Sequence, residues 1–383
     1  MNELVKSPFT PYLGEAPKVF VGRDKEIALF REALSDAQRE KPSSFLLIGH
    51  RGFGKTVLLK YLAGIAREYG FYPAYIGLDE STNTPEGLSR RIYGRVKALM
   101  EDEFIALRAK RFIRKVEPKI AMTIKDLEMQ LSGTLNETEV NGNNFVVAFG
   151  NLIRGRKLCV FTDETQSALG NGVARFLVNT LYAELIDMAS NWIFILAGTP
   201  LLGYKILETT PADRAFIKME LSILNEAEVK EVIQGTAEGA DVTFSDQSCH
   251  LIADDSQGMP YYVQLFGDKY FKLKKSGEVT AQFYRRKRDE VVRSLGKDVF
   301  ETRFKELEAR GLYGQVLTQF AVLDREDGVP LNEVSNNLPS YPGPYIGELE
   351  AKGYLTRIKR GRYRILDKLF REWICEQNKP NSL

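Results

Sequence analysis

The residues with the clearest chemistry are Gly49-His50-Arg51-Gly52-Phe53-Gly54-Lys55-Thr56. Glycines in such a run let successive backbone N–H groups turn into one concave anion nest, and the closing lysine and threonine add a cation and a hydroxyl. This is the pattern of a loop that cradles the phosphates of ATP. Lys55 would reach the β- and γ-phosphates and take part in catalysis. Thr56 would ligate Mg²⁺, and Gly49, Arg51, Gly52, Phe53, Gly54 and Val57 would line the phosphate chain. A second group, Leu158-Cys159-Val160-Phe161-Thr162-Asp163-Glu164, is an apolar run ending in two carboxylates. Asp163 can hold the Mg²⁺ water shell, and Glu164 can polarise an attacking water as a general base.

Elements must hold these groups at one edge. Residues 24–35 have helical spacing, with apolar side chains at Ile27, Leu29, Phe30 and Leu34. Short apolar runs at 44–48, 73–78, 158–162, 192–197 and 217–221 predict five strands, and residues 55–69 a helix that opens on the glycine loop. Strand, loop, helix, strand in that order implies a right-handed crossover and a doubly wound parallel α/β sheet. The excursion at 86–150 opens with a helix through Lys115, and 122–144 reads as a small hairpin.

From Asn225 helical patterns replace strands, which predicts a helical lid over 225–275 after a nucleotide-binding core over 1–224. A basic connector, 276–305, leads to a final module over 306–383. This module reads as three helices, two strands turning at Arg360-Gly361, and a last helix, the order of a winged helix.

The chain has 383 residues, 53 Lys+Arg against 51 Asp+Glu, and 44% apolar residues, an ordinary globular composition long enough for two or three domains. Cys159, Cys249 and Cys375, with His50 and His250, form neither a disulfide framework nor a zinc cluster, so a reducing cytoplasm is expected. No secretory h-region or transmembrane run is evident, and no membrane partner is expected.

Taken together, the Gly22-Arg23 box, GHRGFGKT, FTDE, the strand ending LAGTP and Gly258-Met259-Pro260 resemble an AAA+ P-loop ATPase. The nearest likeness is the prokaryotic branch related to origin-recognition initiators and STAND signalling ATPases, which commonly ends in a winged helix. The resemblance implies that Thr199 senses the γ-phosphate; by itself Gly198-Thr199-Pro200 is a strand-ending turn. It implies that Arg214 is an arginine finger presented to a second copy of the chain in a homo-oligomer, where a planar permanent charge suits a developing transition state. It also implies that Val21, Gly22 and Arg23 stand beside the adenine and that Pro260, which opens the lid helix, is a further nucleotide-binding residue. Gly258-x-Pro260 in place of a sensor arginine is similar to STAND proteins and favours a slow nucleotide-gated switch over a motor.

Local charge suggests partners. Residues 269–305 carry a net +7 and residues 104–119 a net +5, and the wing holds Arg357, Lys359, Arg360, Arg362 and Arg364. Such stripes can neutralise phosphates of double-stranded DNA. The presumed recognition helix, with Glu348 and Glu350, is poor in base-reading groups, so a protein ligand for the winged helix stands as the alternative.

Overall fold

The computed structural model describes residues 6–11, 16–113, 131, 132, 134–170, 172–180, 191–209 and 216–378. They form two units: residues 23–49 with 55–221, and residues 1–22 with 50–54 and 222–383.

The first unit runs α1 (Asp24–Ala37), β1 (Ser43–Ile48), α2 (Lys55–Glu68), β2 (Tyr72–Gly77), α3 (Pro85–Ile113), α4 (Phe145–Ile153), β3 (Leu158–Asp163), α5 (Val173–Val178), β4 (Trp192–Gly198), α6 (Pro200–Thr209) and β5 (Ile217–Glu220). The strands form one sheet in the order β2-β3-β4-β1-β5, and every adjacent pair is parallel. Parallel strands need crossovers, and the helices supply them while covering the sheet. That is why β3 and β4 are buried along their whole length and consist almost wholly of apolar residues. Phe145, Phe149, Trp192 and Phe194 fill the core on the β4 side, each burying area that contributes roughly 1.5–3 kcal/mol. The predicted hairpin falls partly on residues 122–130, outside the described set. Among the described residues of 131–144 there is no strand; residues 131 and 132 are helical, and a 3₁₀ turn follows at Glu137–Glu139.

The second unit contains α7 (Glu226–Ala237), β6 (Val242–Phe244), α8 (Asp246–Ser256), α9 (Pro260–Lys274), β7 (Gly277–Val279) and α10 (Ala281–Leu295). A π-helical turn (Gly296–Glu301) leads to α11 (Thr302–Glu308). Then follow α12 (Tyr313–Val322), β8 (Val329–Pro330), α13 (Leu331–Ser335), α14 (Gly343–Ala351), β9 (Thr356–Lys359), β10 (Arg362–Arg364) and α15 (Lys368–Gln377). Two features depart from the sequence reading. β6 and β7 pair in parallel among the helices, and β8 adds a third, antiparallel strand to the β9–β10 hairpin. Residues 281–308 are helical and bury Tyr284, Leu295, Phe300 and Phe304, so the charged segment is also a packing element.

The N-terminal segment belongs to this second unit. Phe9 packs edge-on against Phe244 and Phe271 at 5.8 and 6.2 Å, and the Thr10 N–H donates to Gln264 Oε1 at 3.0 Å. Lys18 Nζ donates to the carbonyls of Thr236 and Glu238 at the end of α7, where a cation meets unpaired helix carbonyls. No described helix is long and apolar enough to cross a membrane.

Candidate nucleotide site

The tips of three strands fix the first part of the site. Past Ile48, the Gly49 N–H donates to Gly198 O at 3.1 Å, and the Leu221 N–H donates to Ile48 O at 2.8 Å, so the ends of β1, β4 and β5 lie level. Lys55 opens α2 because Leu58, Leu59 and Leu62 share its buried side. It is itself only 6% exposed, and its Nζ donates to Gly49 O at 2.8 Å. Thr56 Oγ1 donates to Asp163 Oδ2 at 2.7 Å. The Tyr75 hydroxyl, on neighbouring β2, donates to the same oxygen at 2.5 Å. Burial, and then the bond to Asp163, push the Tyr75 phenol well above its ordinary pKa, so it stays a donor.

Glu164 follows with φ 55°, a left-handed conformation uncommon for a residue with a Cβ. Its N–H donates to Asp163 Oδ1 at 3.0 Å, and its exposed side chain accepts from Gln166 Nε2. Thr199 caps β4 at 4% exposure, its N–H donating to Gln166 Oε1 at 3.1 Å. The Thr199 hydroxyl has no hydrogen-bond partner among the described residues. A buried hydroxyl left unpaired is unfavourable, and its position at a strand tip fits a group kept for a ligand.

The rest of the glycine loop, His50 to Gly54, belongs to the second unit. Gly52 and Gly54 have φ +85° and +86°, conformations open to glycine, and a Cβ at Gly54 would meet nothing within 4 Å. The Tyr261 N–H, in the first turn of α9 beside Pro260, donates to Gly52 O at 3.2 Å. The Arg51 guanidinium lies 5.8 Å from the Tyr354 ring centre, and His50 Nδ1 lies 3.2 Å from Thr356 Oγ1. Phe53 is buried, its ring edge-on to His50. Gly258 has its own reason to be glycine: a Cβ there would lie 2.0 Å from Leu224 O.

Lys55, Thr56, Asp163, Glu164 and Thr199 thus come together in the first unit around Gly49, with Val57 half-buried one residue along α2. Val21 and Gly22 lie in the second unit, where a Cβ at Gly22 would meet Glu228 and Leu224; Arg23 is buried at the start of α1. Arg214 lies outside the described residues. Tyr75 and Gln166 were missed by sequence reasoning. The signals available were a tyrosine inside a strand beside the acidic one, and Asp-Glu-x-Gln in place of a bare Asp-Glu. Among the described residues no cluster of three or more His, Cys, Asp or Glu could hold a metal by itself. Within the first unit the donor set fits phosphate oxygens with Mg²⁺: a lysine at the head of α2, a hydroxyl and a carboxylate sharing one hydrogen bond, and an orphaned hydroxyl.

Residues 19–187 match the AAA ATPase domain family. No curated protein matches the sequence. Among solved structures, the chain is similar to the Walker-type ATPase PABY2304 of Pyrococcus abyssi, with a TM-score of 0.57 at 15% identity, covering 93% of this chain and 96% of that one. The Aeropyrum pernix ORC1 protein in complex with DNA scores 0.49 at 18% identity over 97% of each chain. The Thermotoga maritima RuvB Holliday junction branch migration motor scores 0.46 at 16% identity, covering 94% of this chain and 97% of that one. By its sheet the chain has the parallel-sheet P-loop fold of AAA+ proteins, and its residues 19–187 match the AAA ATPase domain family.

Proposed function

We propose that the protein binds ATP with Mg²⁺, hydrolyses it, and uses its nucleotide state to set the arrangement of its C-terminal module. Bound Mg²⁺ would neutralise charge on the phosphates. Lys55 would exchange Gly49 O for phosphate oxygen, Thr56 and Asp163 would hold the metal and its waters, Glu164 would take the proton of the attacking water, and Thr199 would donate to the phosphate being removed. In this reading the chain divides into a nucleotide core (1–224), a lid (225–275), a basic connector (276–305) and a winged helix (306–383). The helices α12 to α14 and the three-stranded β8–β10 sheet support the last assignment.

One observation carries the switch. The loop that would hold phosphate touches both the first turn of α9, through Gly52 and Tyr261, and the C-terminal module, through His50 with Thr356 and Arg51 with Tyr354. A ligand that reorders this loop has direct contacts through which to bias both.

The charge that suggested DNA is largely spent inside the module. Arg357 pairs with Glu350, Lys359 and Arg362 with Asp327, and Arg364 with Asp324, while Glu348 pairs with Arg310 and Lys352. In the connector Arg288 is committed to Asp255, whereas Arg285, Arg286, Arg293 and Lys297 are exposed. This pairing favours a protein ligand for the C-terminal module, with the exposed face of α10 as the alternative seat for duplex DNA. Cysteines that form no disulfide among the described residues fit action in the cytoplasm.

The test is ATP binding and turnover side by side. Lys55→Ala should abolish binding, and Glu164→Gln should retain ATP but stop turnover; tight binding by the Lys55 variant contradicts the loop assignment. Arg214→Ala should bind ATP without hydrolysing it and recover turnover when mixed with Lys55→Ala chains, which supply the arginine from a neighbour. A salt-dependent shift of duplex DNA, lost on Arg285→Glu and Arg286→Glu, would favour DNA over a protein ligand.

A further inference from the structure

Gln166 has no role in the assignment above, yet its side chain joins two parts of the site. Its Nε2 donates to Glu164 Oε2, and its Oε1 accepts from the backbone N–H of Thr199 at 3.1 Å. We propose that Gln166 is the positioning residue of Glu164: its amide ties the exposed carboxylate that would activate water to the tip of β4, where the phosphate-sensing threonine sits. The proposal rests on the ATP-hydrolysis reading and names a residue through which that site is regulated.

Three observations carry it. Glu164 is exposed, and a free glutamate side chain disperses over many rotamers; a bond from a side chain only 4% exposed removes that freedom. Gln166 is itself fixed, because it lies in the 3₁₀ turn Thr165–Ala168, which is pinned by Thr165 Oγ1 to Thr162 Oγ1 at 2.8 Å and by the Ser167 N–H to Glu164 O at 2.9 Å. Finally, β4 makes room for the amide: a Cβ at Gly198 would lie 2.5 Å from Gln166 Oε1. An amide serving packing alone would have no need to reach an exposed carboxylate. Asparagine would be one methylene too short for both ends, and glutamate would offer Glu164 a second negative charge in place of a donor.

The consequence is mechanical. A phosphate that draws on the Thr199 hydroxyl displaces the Thr199 backbone, and the amide passes that displacement to the carboxylate. The base would be aligned when a γ-phosphate is present and released when it has left.

The experiment compares Gln166→Glu, Gln166→Leu and Gly198→Ala with the unaltered protein, measuring ATP affinity, kcat and thermal unfolding. Gln166→Glu keeps an acceptor for the Thr199 N–H, loses the donor to Glu164 and adds a charge, whereas Gln166→Leu loses the donor without adding one. We expect a fall in kcat of about 10- to 100-fold, with ATP affinity unchanged, in both Gln166→Glu and Gln166→Leu, and a similar loss in Gly198→Ala. Unchanged kcat in Gln166→Glu and Gln166→Leu overturns the proposal. If the unaltered protein does not hydrolyse ATP, or Glu164→Gln does not slow it, the ATP-hydrolysis reading fails and takes this inference with it. If Glu164→Gln stops turnover and the Gln166 variants do not slow it, the inference alone fails.

Discussion

His50 Nδ1 and Thr356 Oγ1 stand 3.2 Å apart although 306 residues separate them in the chain. One belongs to the loop after β1 and the other opens β9, so the loop and the C-terminal module are in direct contact. Under the proposed function, whatever free energy this contact contributes to loop order would be returned, by linkage, as dependence of the module on nucleotide. A non-hydrolysed ATP analogue should slow hydrogen exchange at residues 354–359. Thr356→Val should remove that protection and weaken analogue binding about fivefold, the worth of roughly 1 kcal/mol. Protection that persists in Thr356→Val would show that the contact carries no signal.

Asp255 is a buried hub in the second unit. It accepts from Arg288 Nε and Nη2 and from the Tyr284 hydroxyl at 2.7 Å, and Tyr284 stacks on Tyr270 at 4.3 Å between ring centres. Burial and the nearby carboxylate push the Tyr284 phenol far up, so it too remains a donor. Asp255→Ala would strand both donors and should cost about 3 kcal/mol, the lower end for a broken buried pair because Arg288 is partly exposed. The two tryptophans separate the units, Trp192 on β4 and Trp373 on α15. In single-tryptophan proteins, the urea midpoint reported by Trp373 should fall while that reported by Trp192 holds.

Glu348 titrates in a defined window. Burial opposes its charge, but hydrogen bonds from Lys352 and Tyr313 and the pairing with Arg310 outweigh burial and hold the carboxyl down at about 2. Its folded value lies below that of the unfolded chain, so its contribution is complete above pH ~4.3 and is lost as pH falls toward about 2. Trp373 fluorescence should report a loss of roughly 2 kcal/mol across that window, reduced for partial exposure. Glu348→Gln should be less stable at neutral pH and should lack that acid step.

Much of the first unit is legible because its chemistry is local. β3 and β4 read as apolar runs since both faces are covered, and the glycine loop, Lys55 and Thr56 are adjacent in sequence. What stays hidden depends on partners from elsewhere. Gln166 acquires its role from Glu164 and Thr199 at the ends of different strands, and Tyr75 from the register that sets Gly77 beside Asp163. The β9–β10 hairpin shows the same limit in reverse. Its basic run is plain in sequence, but Asp324, Asp327 and Glu350, which pair with it, come from two other segments of the module. β6, β7 and β8 are two or three residues long, too short for a period of two to register.

The pairing of Phe9 with Phe244 and Phe271, and the place of residues 50–54 in the same unit, set an order of events on the ribosome. Residues 23–49 and 55–221 emerge first and hold every strand of the parallel sheet, while Phe9 and the loop wait for residues 222–378 to be made. At ordinary synthesis rates that wait is roughly 10–30 s. The apolar anchor at Phe9 therefore stays uncovered on the nascent chain until Phe244 and Phe271 have been made, so the first aromatic contacts of the N-terminal segment are among the late events of synthesis.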